Sequence, residues 1–331
     1  MEAKTKVEKK QFHLSLGNNQ QLAIVFLGLV ALIVVFGMIS SEFLSMRNIT
    51  NLLRQIAPIL IIGIGQGLVL ITGNIDLSIG SVVGMSGMIV ATLMTHGFNV
   101  WLAVALTLVA CLGIGVLNGV LVAVFKIPPF IATLGTMTAC RGIAQIANNN
   151  YNTDAIPASA QGFRSLFYYG QIGPIYAPVI IALVIFLAFN FWLTKTRGGK
   201  YIYAIGSNSE ASRLSGVNVS RSVITVYVMS AFCAFIVGLS ATATSGVGTM
   251  DAGNMYEMYA VAAATIGGIS TLGGQGLLAG AIVGAGIWGV LQNGLQFAGA
   301  PVAIRNIVIG IIVILSVSMD IIFRKKREAR G

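Results

Sequence analysis

Apolar residues in this chain fall in long unbroken runs separated by short polar segments. The run LAIVFLGLVALIVVFGM at 22–38 carries no charge over seventeen residues. A strand of a transmembrane barrel alternates apolar and polar positions, whereas a helix crossing the ~30 Å hydrocarbon core needs roughly 20 apolar residues in succession. The pattern therefore predicts an all-α integral membrane protein with about ten transmembrane helices. They lie near 21–40, 55–72, 78–95, 100–124, 130–147, 177–194, 222–243, 257–268, 277–298 and 302–323, the eighth being short. One transmembrane domain over 21–323 results, with tails at 1–20 and 324–331 and a long inner loop at 195–221.

Composition agrees. Of 331 residues, 56% are hydrophobic and 9% charged, and the mean hydropathy is +0.87. A soluble domain carries about 25% charged residues, so a soluble enzyme, a disordered regulator and a nucleic-acid-binding domain are excluded. The net charge of +10 is explained by where the charges sit. Fifteen of the twenty Lys and Arg residues fall on one face: Lys4 to Lys10, Lys126, the loop Lys195 to Arg221, and the tail Arg324 to Arg330. Basic loops mark the cytoplasmic side, so both termini are expected there, beside anionic lipid. The first run has a basic flank, as a signal peptide does, but no small-x-small cleavage site follows it, and it reads as a retained span. Cys111, Cys140 and Cys233 fall inside spans and read as small buried apolar residues.

Forty glycines, many at four-residue spacing inside spans, allow close helix crossings. Two glycine-rich interruptions carry polar residues at membrane depth: ITGNIDLSIGS at 71–81 and TIGGISTLGGQG at 265–276. Irregular backbone persists in a bilayer only where it is buried in protein or lines a wet cavity. Asp76 in the first break either satisfies free amide groups as a cap or touches cargo. Other polar residues placed to line a pathway are Gln66, Asn74, Asn118, Thr133, Gln145 and Asn293; interhelical hydrogen bonding is the competing role for each. The outer segment 148–177 is polar and proline-punctuated, with a short interfacial helix expected near 163–169. In the inner loop, SNSEASRLSG reads as a short helix capped by Ser207 or Ser209, with Glu210 in its first turn and Gly216 closing it. Such a helix, with nothing in the chain to pack against, reads as a docking element, with a solvated turn as the competing reading.

No G-x-x-x-x-G-K-[ST] loop is present, so the chain does not hydrolyse ATP by itself. With two histidines there is neither a metal cluster nor a Ser-His-Asp set, and no catalytic residue is assigned. Ionisable residues within spans are few (Asp76, Arg141, Glu257, Arg305), unlike a proton or sodium antiporter. Energy is expected from elsewhere.

Four motifs in order, GNIDLSIGS (73–81), IPPFIATLGTM (127–137), AIGSNSEASRLSGVNV (204–219) and ATIGGISTLGGQG (264–276), resemble the permease subunits of bacterial ABC sugar importers of the ribose, galactose and xylose type. These permeases are related to those for branched-chain amino acids. The likeness runs from about the second span to the C-terminus. It implies an inverted-repeat permease of the inner membrane that works in pairs with two ATPase domains and a periplasmic or lipid-anchored sugar-binding protein. ATP and Mg would be used by the ATPase, and no cofactor is bound by this chain. The resemblance makes the loop around Asn208, Glu210, Ala211, Arg213, Leu214 and Gly216, followed by Val217 and Asn218, the cytoplasmic coupling helix that sits in an ATPase groove. Ser212 replaces the usual alanine, and Tyr259 stands where an aspartate is common. The two glycine-rich breaks fall on the same side and are not the symmetry mates an inverted repeat gives.

The expected function is therefore the permease of an ATP-driven monosaccharide importer, for ribose or a related pentose or hexose. The competing readings are a permease of the same type for branched-chain amino acids, nucleosides or a signalling furanone, and an ATPase-independent secondary transporter.

Overall fold

The structure is a computed structural model and describes residues 18–328. The basic N-terminal lysines and residues 329–331 lie outside the described residues. Each expected span falls on a helix: α1 Asn18–Ile39, α2 Met46–Ile71, α3 Ile79–Thr95, α4 Val100–Ala123 and α5 Pro129–Ile146. After a connecting segment holding α6 (Gln161–Arg164) come α7 Ala177–Lys195, α8 Arg197–Ser207, α9 Ser209–Leu214 and α10 Val219–Ser245. The chain ends with α11 Tyr256–Ile266, α12 Leu278–Phe297 and α13 Val302–Glu328. Among the described residues, six helices (α1, α2, α4, α7, α10 and α12) are long and apolar enough to cross a membrane by themselves. α3 has 17 residues and α11 only 11, about 16 Å of helix at 1.5 Å per residue, about half the hydrocarbon thickness.

Boundaries moved where local chemistry overrides hydropathy. α2 begins nine residues before the expected 55, because Ser45 accepts a hydrogen bond from the Asn48 amide at 3.3 Å and opens a helix over the polar MRNITN stretch. α13 continues to Glu328, so most of the expected C-terminal tail extends the last helix.

The core forms around α10, which packs on α4, α2 and α3, while α11 packs on α12 and α2. Gly115 and Gly119 of α4 lie against the backbone of Val228 and Ile224 on α10, the close crossing small residues permit. A second cluster joins Phe36 of α1 and Phe43 to Val290 of α12. Leu27, Val109, Phe191 and Ile314 are exposed on α1, α4, α7 and α13, an outward apolar surface suited to lipid.

The polar, proline-punctuated segment 148–176 follows α5. α6 continues into a π-helical turn, Ser165–Tyr169, as expected near 163–169, and an unforeseen hairpin pairs Gln171 with Tyr176 and Ile172 with Ile175. The Arg54 guanidinium of α2 lies 4.5 Å from the Tyr168 ring and 4.2 Å from the Tyr176 ring, and Arg164 Nε donates to the Ala243 carbonyl at 3.1 Å. This segment thus sits at one end of α7 and α10, and α8 and α9 sit at the other.

Candidate functional site

The segment 195–221 folds as two helices where one was expected. Thr196 Oγ1 accepts from the Gly199 amide and opens α8, whose Ile202 and Ile205 are buried. α9 is capped by Asn208, whose Oδ1 accepts from the Ala211 amide at 2.9 Å; neither Ser207 nor Ser209 serves. Asn208 succeeds because it is extended (φ −159°, ψ 101°) and one residue before the turn, as an N-cap requires. Gly216, at φ +85°, closes the helix, with its amide on the Arg213 carbonyl at 3.0 Å, and Asn218 then caps α10 through the Arg221 amide.

Glu210, Ala211, Arg213 and Leu214 all face outward, and the Leu214 side chain is 77% exposed. Arg213 Nη2 lies 2.6 Å from Glu210 Oε1. The Arg213 hydrogen bond, then its charge, hold the Glu210 carboxyl below the ordinary glutamate range; Lys126 on the neighbouring loop adds to this. Arg213 is held more firmly protonated by the same partner. α9 thus offers a short, pre-ordered, charged knob.

α8, in contrast, packs within the chain. Burial raises the Tyr203 phenol, which donates to the Gly276 carbonyl at 2.7 Å. At the end of α8, a Cβ on Gly206 would collide with the Ile71 carbonyl oxygen and the Gly274 amide. Gly274 N in turn donates to Ile71 O at 2.8 Å. Gly273, at φ +84°, approaches Gly73 so closely that a Cβ would lie 2.7 Å from its nitrogen. Both glycine-rich breaks therefore meet, and the last turn of α8 sits on their junction. The sequence showed each piece; their convergence has no local signal.

Immediately beyond lies a buried polar network. Asp76, 2% exposed, accepts at Oδ1 from Ser78 N (3.0 Å) and Ser78 Oγ (2.6 Å), and at Oδ2 from Ser230 Oγ of α10 (2.7 Å). Asn118 of α4 donates to Ser78 Oγ at 2.8 Å and accepts from Thr136 of α5 at 2.7 Å. The Gln66 amide, oriented by its hydrogen bonds, reads both the carbonyl (3.0 Å) and the amide (3.3 Å) of Asp76. Tyr227 donates to the Ile75 carbonyl at 3.0 Å. Four helices are thereby tied to the first break.

The remaining candidates lie apart. Asn74 is half-buried with its amide 2.8 Å from Thr72 Oγ1; Thr133 donates to the Pro129 carbonyl at 2.8 Å; Gln145 is exposed on the last turn of α5. Asn293 forms a buried amide pair with Asn48 of α2, at 2.9 and 3.3 Å. Ser230, Thr136 and Tyr227 were missed, since an isolated hydroxyl on an apolar helix gives no indication of its partner.

A family described as branched-chain amino acid transport system / permease component matches residues 48–317. The chain is 34% identical over 294 residues to the ribose import permease protein of Escherichia coli K12, covering 89% of this chain and 92% of that one. It is 33% identical over 320 residues to the D-allose transport system permease protein of the same strain, covering 96% of each. It is 33% identical over 332 residues to a fructose import permease protein of Rhizobium meliloti, covering 97% and 90%. No solved structure matches the chain.

Proposed function

The chain belongs to the permease-component family of branched-chain amino acid transport systems, and from that premise we propose that it is the membrane subunit of an ATP-driven ABC importer for a monosaccharide, ribose or a related pentose or hexose. The family description alone would allow an amino acid. Relatives similar over nearly the whole chain are named for ribose, allose and fructose, and this favours a sugar.

In this reading the chain crosses the bacterial cytoplasmic membrane ten times with both termini inside; α3, α5, α11 and α13 supply the crossings beyond the six self-sufficient helices. It pairs with a second permease and receives cargo outside from a sugar-binding protein. Inside, a separate ATPase subunit, which consumes ATP and Mg, grips α9 through Glu210, Arg213 and Leu214.

The observation carrying this reading is the seating of Gly206 on the joined breaks. A displacement of α9 passes through α8 to Ile71 and Gly274, where both spans are already interrupted and bending needs no helical hydrogen bond to break. The Asp76 network, anchored in α2, α4, α5 and α10, makes those helices respond together. The passage thereby opens alternately to each side.

The test is reconstitution of the chain with its ATPase and binding protein in liposomes. Sugar uptake requiring ATP is expected. Gradient-driven uptake by the chain alone, with no nucleotide, would overturn the proposal.

A further inference from the structure

At the end of the bundle opposite α9, α2, α11, α12 and α13 line an open cleft of about 310 Å³, at the lower end of the usual range for small-molecule sites. Its chemistry is divided. Tyr256, Tyr259 and Trp288 form an aromatic wall, with ring centroids 5.8 Å apart for the tyrosine pair and 4.9 Å for Tyr259 and Trp288. Gln55, Gln292 and Arg305 face it. Behind this lining, the buried Trp288 Nε1 and Arg305 Nε have no hydrogen-bond partner among the described residues. Buried donors are rarely left unmatched, because a donor stripped of water and given no partner is destabilising.

We propose that this cleft is a monosaccharide site within the permease, a way-station for cargo at the outer end of its path. The inference rests on the importer reading for its orientation. A sugar ring has an apolar C–H face, which packs on aromatic faces, and a rim of hydroxyls that both donate and accept. Gln55 and Gln292 supply donors and acceptors together, and a guanidinium offers paired N–H groups to adjacent hydroxyls. A carboxylate-bearing amino acid would use Arg305 but leave its ammonium group without an acidic partner, since none of the nine lining residues is acidic.

The position fits. Tyr256 and Tyr259 open α11, Gln292 lies in the second half of α12, Arg305 opens α13, and Gln55 adjoins Arg54, which is stacked on the outer segment. The opposite ends of α2 and α11 lead into the two breaks on which α8 sits. Cargo held here would occupy the helices that the coupling segment moves.

The experiment uses the full-length chain in detergent with Trp101→Phe and Trp192→Phe, leaving Trp288 as the sole tryptophan. Its fluorescence is titrated with D-ribose, D-allose, D-fructose and L-leucine. A saturable change with at least one sugar and none with L-leucine is expected, and Gln292→Leu should weaken it about tenfold, the effect of one lost hydrogen bond of about 1.4 kcal/mol. Arg305→Met serves the same purpose if the Gln292 variant does not fold. No saturable change with any sugar, an L-leucine response equal to the sugars', or unaltered affinity in the folded variant overturns the site. Because the titration needs no ATPase, it decides the site even if reconstituted transport were to sink the importer reading.

Discussion

The Gly274 amide donates to the Ile71 carbonyl oxygen at 2.8 Å, tying the end of α2 to the second break by main-chain atoms more than two hundred residues apart. Gly206 covers this bond, so the inner segment and both interrupted spans share one contact.

Gly206→Val should separate that contact, since the side chain meets backbone that cannot rotate away. Overpacking of this kind costs about 1–3 kcal/mol, visible as a lower thermal midpoint in detergent. ATP hydrolysis by the assembled complex should also lose its response to loaded binding protein. An unchanged midpoint together with normal uptake would refute the junction's role.

Ser230→Ala removes one of the hydroxyls that donate to the Asp76 carboxyl group. Leaving a buried acceptor partly unmet costs about 1–3 kcal/mol. Asp76→Asn should cost a similar amount, and the double variant less than the sum of both, because the two residues share one hydrogen bond. Strict additivity of unfolding free energies would show that the bond contributes nothing.

Glu210→Lys and Gly216→Leu should abolish transport while membrane insertion stays intact. The first reverses a charge on the exposed knob, and the second forces a side chain into φ +85°. Normal uptake by both would discard ATPase docking at α9.

The ion pair on α9 has a defined pH sense. With the Glu210 carboxyl lowered in the folded chain from its ordinary 4.5, the pair's contribution is complete above that value and fades as pH falls through the lowered one. A carboxyl carbon resonance of Glu210 titrating at or above 4.5 would contradict the pairing.

Sidedness can be read with thiols, because Cys111, Cys140 and Cys233 are all buried. Tyr151→Cys on the outer segment should react with an impermeant maleimide in intact cells, and Ser209→Cys only after permeabilisation. The reverse pattern would invert the topology and remove α9 from any ATPase.

Much of this protein is determined locally. Transfer from water to hydrocarbon acts on each apolar run separately, so helices were placed without knowing their neighbours, and misplacement came where a cap at Ser45 outweighed hydropathy. α9 was legible because Gly216 and the polar residues before Glu210 signal a short helix, although Asn208 rather than a serine caps it. Tertiary structure alone decided what those pieces do together. It buried Asp76 among Ser78, Ser230, Asn118 and Gln66, paired Asn293 with Asn48, joined the breaks beneath Gly206, and set Tyr259 and Trp288 opposite Arg305. Hydrogen bonding and close packing depend on where distant segments meet, and in an apolar helix a lone serine, glycine or tryptophan looks the same whether or not its partner waits across the bundle.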